Sequence, residues 1–434
     1  MSQELFFQHA LLPEGWAANV RIAFAGGLIT AVEEGAACAG ERNSIGLPGI
    51  PNLHSHSFQR AIAGLTESRA SSTDSFWTWR ELMYRFALTM DPDDVEAVAM
   101  QAFVEMLEGG FCSVGEFHYL HHAPDGKPYD DVAELAVRIG AAAARTGIDL
   151  TLLPVFYAYS GFGCAPPMLE QRRFVNDIDG YGKIYERCGK ISAVGVAPHS
   201  LRAVGLDELK RLEALAGDRP VHIHIAEQTR EVTECLAWSG MTPVQWLLDH
   251  FDVTGNWCLV HATQASAAEL ARVASSRAVV GLCPITEANL GDGIFPARDY
   301  AGAYGIGSDS NVMIGVADEL RMLEYSQRLF VRERNVMASE ELRGTATAMY
   351  QSAVAGGAQA LGVAGGLVVD APANIVALHG DVGDPAMAQW IFCGAKSAIE
   401  AVWVRGKKCV TNGKHELADW SRSRFNAVVR KCLS

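Results

Sequence analysis

The sequence predicts a (β/α)8 barrel carrying a small β-sandwich formed from both chain ends. Three observations carry this expectation. The chain has 434 residues, too many for one small core. Its middle alternates apolar strand-like runs with helical stretches. Its two ends are instead β-rich and punctuated by turns.

At the N-terminal end, residues 20–24 and 28–32 flank Gly26-Gly27, a hairpin signal. A matching pattern returns at 373–378 and 401–404, the latter followed by Gly406-Lys407, and residues 419–433 read as a terminal helix. The expected small domain is therefore 1–47 plus 368–434, around a barrel at 48–367. The barrel strands are expected at 49–53, 111–117, 150–156, 193–197, 221–225, 257–260, 278–283 and 303–307. One connecting helix is well punctuated: Asp91 caps it, Pro92 opens its first turn and Gly109 ends it. There is no internal repeat and no low-complexity linker.

Composition is that of an ordinary globular protein, 49% hydrophobic and 20% charged. A net charge of −14 argues against a nucleic-acid partner, which needs clustered Lys and Arg. It leaves room for a small anionic substrate held by a few local arginines. Apolar runs such as 135–144 are too short to span a bilayer, so no membrane partner is expected. The N-terminal segment lacks a basic and an apolar region, so no signal peptide is read and the expected location is cytoplasmic. The ten cysteines are scattered without a C-x-x-C pair; Cys112, Cys258 and Cys283 lie in apolar runs and read as buried free thiols.

The chemistry starts at Pro51-Asn52-Leu53-His54-Ser55-His56. Residues two apart on a strand share a face, so His54 and His56 both aim at the barrel axis. Neutral imidazoles at that spacing chelate Zn²⁺ or a similar ion. An H-x-H pair alone is a weak signal; its place at the C-terminal end of the first barrel strand strengthens it, because barrel active sites lie at that face. Three further strand ends add polar groups on the same rim. The fifth carries His222, His224 and Glu227, the sixth His261, and the eighth Ser308-Asp309. His222 rivals His224, but it lies one layer deeper and only His224 stands three before Glu227; His222 reads as a hydrogen-bonded core or supporting histidine.

The ordered set H-x-H, H-x-x-E, H and S-D resembles the mononuclear deaminase branch of the amidohydrolase superfamily over nearly the whole chain. The resemblance implies His54, His56, His224 and Asp309 as metal ligands and His261 and Glu227 as a catalytic pair, with Asp309 also accepting a proton from the attacking water. Binuclear relatives bridge two metals with a fourth-strand lysine; 193–197 has none, so one divalent ion is expected, Zn²⁺ first, with Fe²⁺ or Mn²⁺ as alternatives.

The segments 53–61, 76–80, 197–204 and 283–293 are similar to the N-formimino-L-glutamate deiminases of histidine degradation. Related aminohydrolases of nucleobases and triazines tend to carry a Ser-Asn pair where this chain has Thr286-Glu287. That resemblance implies Gln59, Arg80, Tyr119, His199 and Arg202 as substrate contacts, a dicarboxylate substrate, and a homodimer. Arginine forks suit carboxylates. The alternative in the same class is an aminohydrolase of a nucleobase, pterin or triazine ring. A remote one is a non-catalytic dihydropyrimidinase-like scaffold.

The plainer readings are these. His118, His121 and His122 have local loop roles, and Trp77 and Trp79 pack over the site. Arg80 taken without the resemblance is a surface residue, and Asp292-Gly293 is a turn. Glu287 and Asn289 suit pocket lining and a structural loop role equally.

Overall fold

A computed structural model describes residues 3–67, 76–394 and 398–434 and, in the helix Phe76–Thr89, the side chains from Trp79 on. The Trp77 side chain lies outside the described residues.

Strands Gln3–Leu12, Gly15–Ala25, Leu28–Glu33 and Glu41–Pro48 join Ile375–Leu378, Ile399–Val404, Lys407–Thr411 and Lys414–His415 in one eight-stranded sheet. The seam between the chain ends is antiparallel, with Ile45 opposite Leu378 and Pro48 opposite Ile375. The hairpin turn holds Gly26 at φ 60° and Gly27 at φ 86°, the left-handed pair that a tight two-residue hairpin demands. Period-two alternation gives this sheet two apolar faces. Ile375, Ala377, Ala401 and Trp403 meet Leu5, Phe7, Val20 and Ile22 in a core of the module's own. Val376, Leu378, Val402 and Val404 point the other way, with Ile45 and Leu47, into the main core. The first face folds over itself: Ala373 donates to the Gly27 carbonyl and Gly406 to the Ala373 carbonyl, each at 2.9 Å. One folded sheet thus supplies both layers of the sandwich.

The barrel strands are Ile50–Ser55, Phe111–His118, Asp149–Phe156, Ala193–Val194 continued by Ala197–Pro198, Val221–Ile225, Trp257–His261, Val279–Leu282 and Tyr304–Ile306. Neighbours pair in parallel. Bridges Val196–Val221 and Ser55–Asp309 join the two halves and close the barrel. The last strand comes unusually close to the first. A side chain at Gly307 would stand 2.7 Å from the His54 carbonyl oxygen, so only glycine lets Asp309 approach the His54 strand.

The helix Pro92–Glu108 is capped as its punctuation predicts. Asp91 accepts from the Asp94 N–H and the Asp94 side chain from the Asp91 N–H, both at 3.0 Å, a reciprocal cap contributing about 1 kcal/mol. Lys431 of the terminal helix Ala418–Leu433 reaches both carboxylates, at 2.6 and 2.5 Å. All ten cysteines are free, with Cys112, Cys258 and Cys283 buried. No helix among the described residues is long and apolar enough to cross a membrane.

Candidate metal centre and active site

Four buried side chains meet at the C-terminal mouth of the barrel. One ligand atom from each of His54, His56, His224 and Asp309 lies within 4.8 Å of the others. His54 Nε2 is 3.2 Å from His56 Nε2 and 3.0 Å from His224 Nε2. Asp309 Oδ1 is 3.4 Å from His54 Nε2 and 3.1 Å from His56 Nε2. The donor set fits a divalent cation, because the second nitrogen of two rings is already committed. His56 Nδ1 lies 2.9 Å from the Phe117 carbonyl and His224 Nδ1 3.0 Å from the His199 carbonyl. A carbonyl only accepts, so each Nδ1 bears the proton and each neutral ring turns a lone pair inward. Burial holds His54 down to about 3 and His224 well below the ordinary histidine range, so neutral rings are the stable form. Converging lone pairs repel one another without a shared cation.

The carboxylate is set by a buried polar lock between the first and last strands. Asn52 donates to Ser308 Oγ at 2.7 Å and accepts from the Ser308 N–H at 3.1 Å. Ser308 Oγ donates to Asn311 Oδ1 at 2.6 Å, and Asn311 Nδ2 reaches the His56 and Asp309 carbonyls, each at 3.0 Å. Burial would raise the Asp309 carboxyl, yet the adjoining His54 and His56 rings hold it well below the ordinary range.

His261 stands beside this centre. Its Nε2 is 3.8 Å from Asp309 Oδ2 and 3.9 Å from Glu227 Oε1, and its Nδ1 is 3.2 Å from Glu287 Oε1. Glu287 is fixed in turn by the Cys283 N–H at 2.9 Å. Glu227, 5% exposed, is held above the ordinary carboxylate range chiefly by burial, a state suited to carrying a proton. Its backbone is gripped by Glu231, whose two oxygens accept from the Ala226 and Glu227 N–H groups at 3.2 and 3.1 Å. Ala226, His261, Ala262, Asp309 and Asn311 all adopt left-handed backbone, φ 44° to 71°. Strain of about 1–3 kcal/mol per residue persists only where the surroundings enforce it.

His56, His224, Glu227, His261 and Asp309 line one cavity together with Gln59, Arg80, Tyr119, His199 and Arg202. His54 sits beneath, fully buried. Gln59 donates to the Tyr119 hydroxyl at 2.5 Å, so the first two strand ends position each other. His222 lies outside the cluster, its Nε2 2.7 Å from the Ala360 carbonyl. His121 and His122 bond the Val155 and Val175 carbonyls. Asn289 pairs with Glu67 at the surface.

Asp292 departs from its reading as a simple turn. It is 6% exposed and bonded to Gln228, and burial together with the Glu227 charge raises it to about 9. Sequence reasoning missed Tyr84, Tyr157 and Phe174, which also line the cavity. Tyr157 directly follows the third strand, and that rim position was its available signal; Tyr84 stands one helical turn beyond Arg80. For Phe174, in a long loop, no signal exists.

Fold and site together define a class, barrel enzymes that hydrolyse bonds with metal-activated water. Residues 45–409 match the model of the Amidohydrolase family, and residues 4–44 match that of the N-terminal domain of the formimidoylglutamate deiminase HutF. The chain belongs to the amidohydrolase family. It is 46% identical to the formimidoylglutamate deiminase of Pseudomonas aeruginosa, over 99% of each chain. A crystal structure of an amidohydrolase from Brucella melitensis superposes with TM-score 0.97 at 51% identity, covering 100% of both chains. A zinc-bound adenosine deaminase from Xanthomonas campestris superposes at TM-score 0.78, covering 98% of both chains at 20% identity; that likeness concerns the fold.

Proposed function

We propose that the chain hydrolyses N-formimino-L-glutamate to N-formyl-L-glutamate and ammonia, as a cytoplasmic homodimer with one Zn²⁺ per chain. The observation that carries this reading is Arg202. Its side chain lines the cavity and is only 8% exposed, its Nε has no hydrogen-bond partner, and no carboxylate among the described residues lies within ion-pair distance. A buried guanidinium is costly without an anion. A substrate carboxylate supplies one, and Arg80 in the same cavity faces the second. The 46% identical relative, which carries the deiminase name, supports the same substrate.

His54, His56, His224 and Asp309 would hold the cation. When bound, it would supply the acidity that brings a water's pKa far down from its bulk value, to about 7. Asp309 Oδ2, turned away from His54 and His56, accepts the water's proton. His261 Nε2 orients that water toward the formimino carbon and stabilises charge as the carbon becomes tetrahedral. Glu227, protonated more readily than an ordinary carboxyl, passes a proton to the departing nitrogen. Water's oxygen replaces the imino nitrogen, which leaves as ammonia.

The test is ammonia release from formiminoglutamate, guanine and adenosine, with metal analysis of the same sample. Turnover of formiminoglutamate alone is expected, lost on chelation and restored by one equivalent of Zn²⁺. No release from formiminoglutamate at full metal content would overturn the reading, and release from a ring substrate would replace it.

A further inference from the structure

We propose that His261, Cys283 and Asp309 form a second cation site, which takes a thiophilic divalent ion such as Zn²⁺ or Cd²⁺ and inhibits the enzyme when filled. One ligand atom from each of the three lies within 4.8 Å of the others, and all three residues are buried. They come from consecutive positions around the barrel: His261 ends the sixth strand, Cys283 follows the seventh, and Asp309 follows the eighth. Asp309 has a separate oxygen for each site. Its Oδ1 faces His54 and His56 at 3.4 and 3.1 Å, while its Oδ2 faces His261 Nε2 at 3.8 Å. One carboxylate thus bridges two ligand sets.

The Cys283 thiol has no hydrogen-bond partner among the described residues; it packs beneath the site with Leu53, Cys258 and Val260. Tetrahedral bonds of about 2.0–2.3 Å put ligand atoms roughly 3.5 Å apart, so the three atoms need to close by about an ångström. The cavity that His261 and Asp309 line gives an ion its way in and leaves a position for water. A sulfur, nitrogen and oxygen set selects Zn²⁺ or Cd²⁺ over Mg²⁺ or Ca²⁺. Binding replaces the Cys283 S–H bond and the His261 Nε2–H bond with metal–sulfur and metal–nitrogen bonds, and both protons leave to solvent.

Inhibition follows from what the ion takes. His261 Nε2 and Asp309 Oδ2 are the groups that, on the functional reading above, orient and deprotonate the attacking water. The proposal rests on that reading for its inhibitory half; the site itself rests on geometry.

The experiment titrates enzyme already holding one metal equivalent with Cd²⁺. It reads the ultraviolet thiolate-to-metal charge-transfer band, bound metal after gel filtration, and ammonia release, for the wild type and for Cys283→Ser. Surface thiols such as Cys38 and Cys164 contribute equally to both, so the difference reports Cys283. The wild type is expected to bind one further equivalent, gain the extra band, and lose activity reversibly on mild chelation. In Cys283→Ser the extra band is absent and inhibition needs at least about tenfold more Cd²⁺. Equal bands, or equal inhibition of both proteins, would overturn the proposal. So would the Cys283 band rising with the first equivalent added to stripped enzyme, which would put the thiol in the primary centre. If Cys283→Ser folds poorly by circular dichroism, Cys283→Ala is read the same way. Should enzyme with one equivalent release no ammonia from formiminoglutamate, the functional reading fails alone, and band and stoichiometry still decide the site.

Discussion

His261 Nδ1 lies 3.2 Å from Glu287 Oε1, with both side chains buried. That contact commits one ring nitrogen to a carboxylate and turns the other toward Asp309 and Glu227. Burial alone would lower the imidazole, but the charge of Glu227 and the Glu287 hydrogen bond raise it to about 10. A histidine tied in this way is a dependable donor to charge developing on the substrate. Replacing Glu287 with Gln keeps an acceptor and removes the charge. The expected outcome is a fall in kcat/KM of about 10- to 100-fold with metal content unchanged, and an altered pH–rate profile. Steady-state kinetics across pH check it; an unchanged profile would remove Glu287 from the machinery.

Glu231 acts one step further back, through the backbone of Glu227. Its two oxygens accept two adjacent N–H groups at a left-handed turn. Gln at 231 has one oxygen, so its amide would face the second N–H and leave that donor unsatisfied, at a cost of about 1–3 kcal/mol. Glu231→Gln is expected to lower kcat at least about tenfold while KM changes little, because a misplaced proton carrier hurts the transition state alone. Kinetics per folded molecule, beside a denaturant melt, separate this from simple destabilisation. Normal kcat with a lowered melt would make Glu231 merely structural.

These two glutamates show where sequence reading stopped. His54 and His56 were legible because a strand has period two, and His224 was separable from His222 because of its spacing to Glu227. The barrel was legible because eight apolar runs stood where parallel strands belong. Glu287 and Glu231 carry no such pattern. Their roles depend on hydrogen bonds to His261, 26 residues away, and to a backbone turn whose strain no local motif announces. Asn52 was hidden inside the H-x-H segment itself, since its partner Ser308 is 256 residues distant. Asp292 looked like a turn because Asp-Gly usually is one; burial beside Glu227 is a tertiary fact.

Arg202 tests the substrate class directly. Replacement by Met keeps much of the buried stem and removes the fork. KM for formiminoglutamate is expected to rise at least about tenfold, the loss of one charge-assisted pair of about 1.5–3 kcal/mol, with metal content unchanged. Lys at 202 restores charge without the planar fork, so only partial rescue is expected. Unaltered binding of the dicarboxylate in Arg202→Met would show that this guanidinium faces something else.

His121 tests the fold's response to acid away from the metal. Its Nε2 is 2.9 Å from the Val155 carbonyl, its ring lies 5.2 Å from that of His118, and burial lowers it to about 3. In the unfolded chain the same ring titrates near 6.5. Between those values the unfolded state binds the extra proton, so stability is present in full above about 6.5 and drains as pH falls toward 3. The slope is about 1.4 kcal/mol per pH unit for this one ring. Gln at 121 still offers an N–H to Val155 but has no proton to gain. His121→Gln is therefore expected to be close to the wild type at pH 7.5 and to lose stability less steeply between pH 6.5 and 4.5. Removing His121 also relieves the neighbouring His118 of a like charge, which works in the same direction. Urea midpoints at several pH values check this; parallel curves for the two proteins would mean that His121 is already protonated in the folded state or gains its proton without cost.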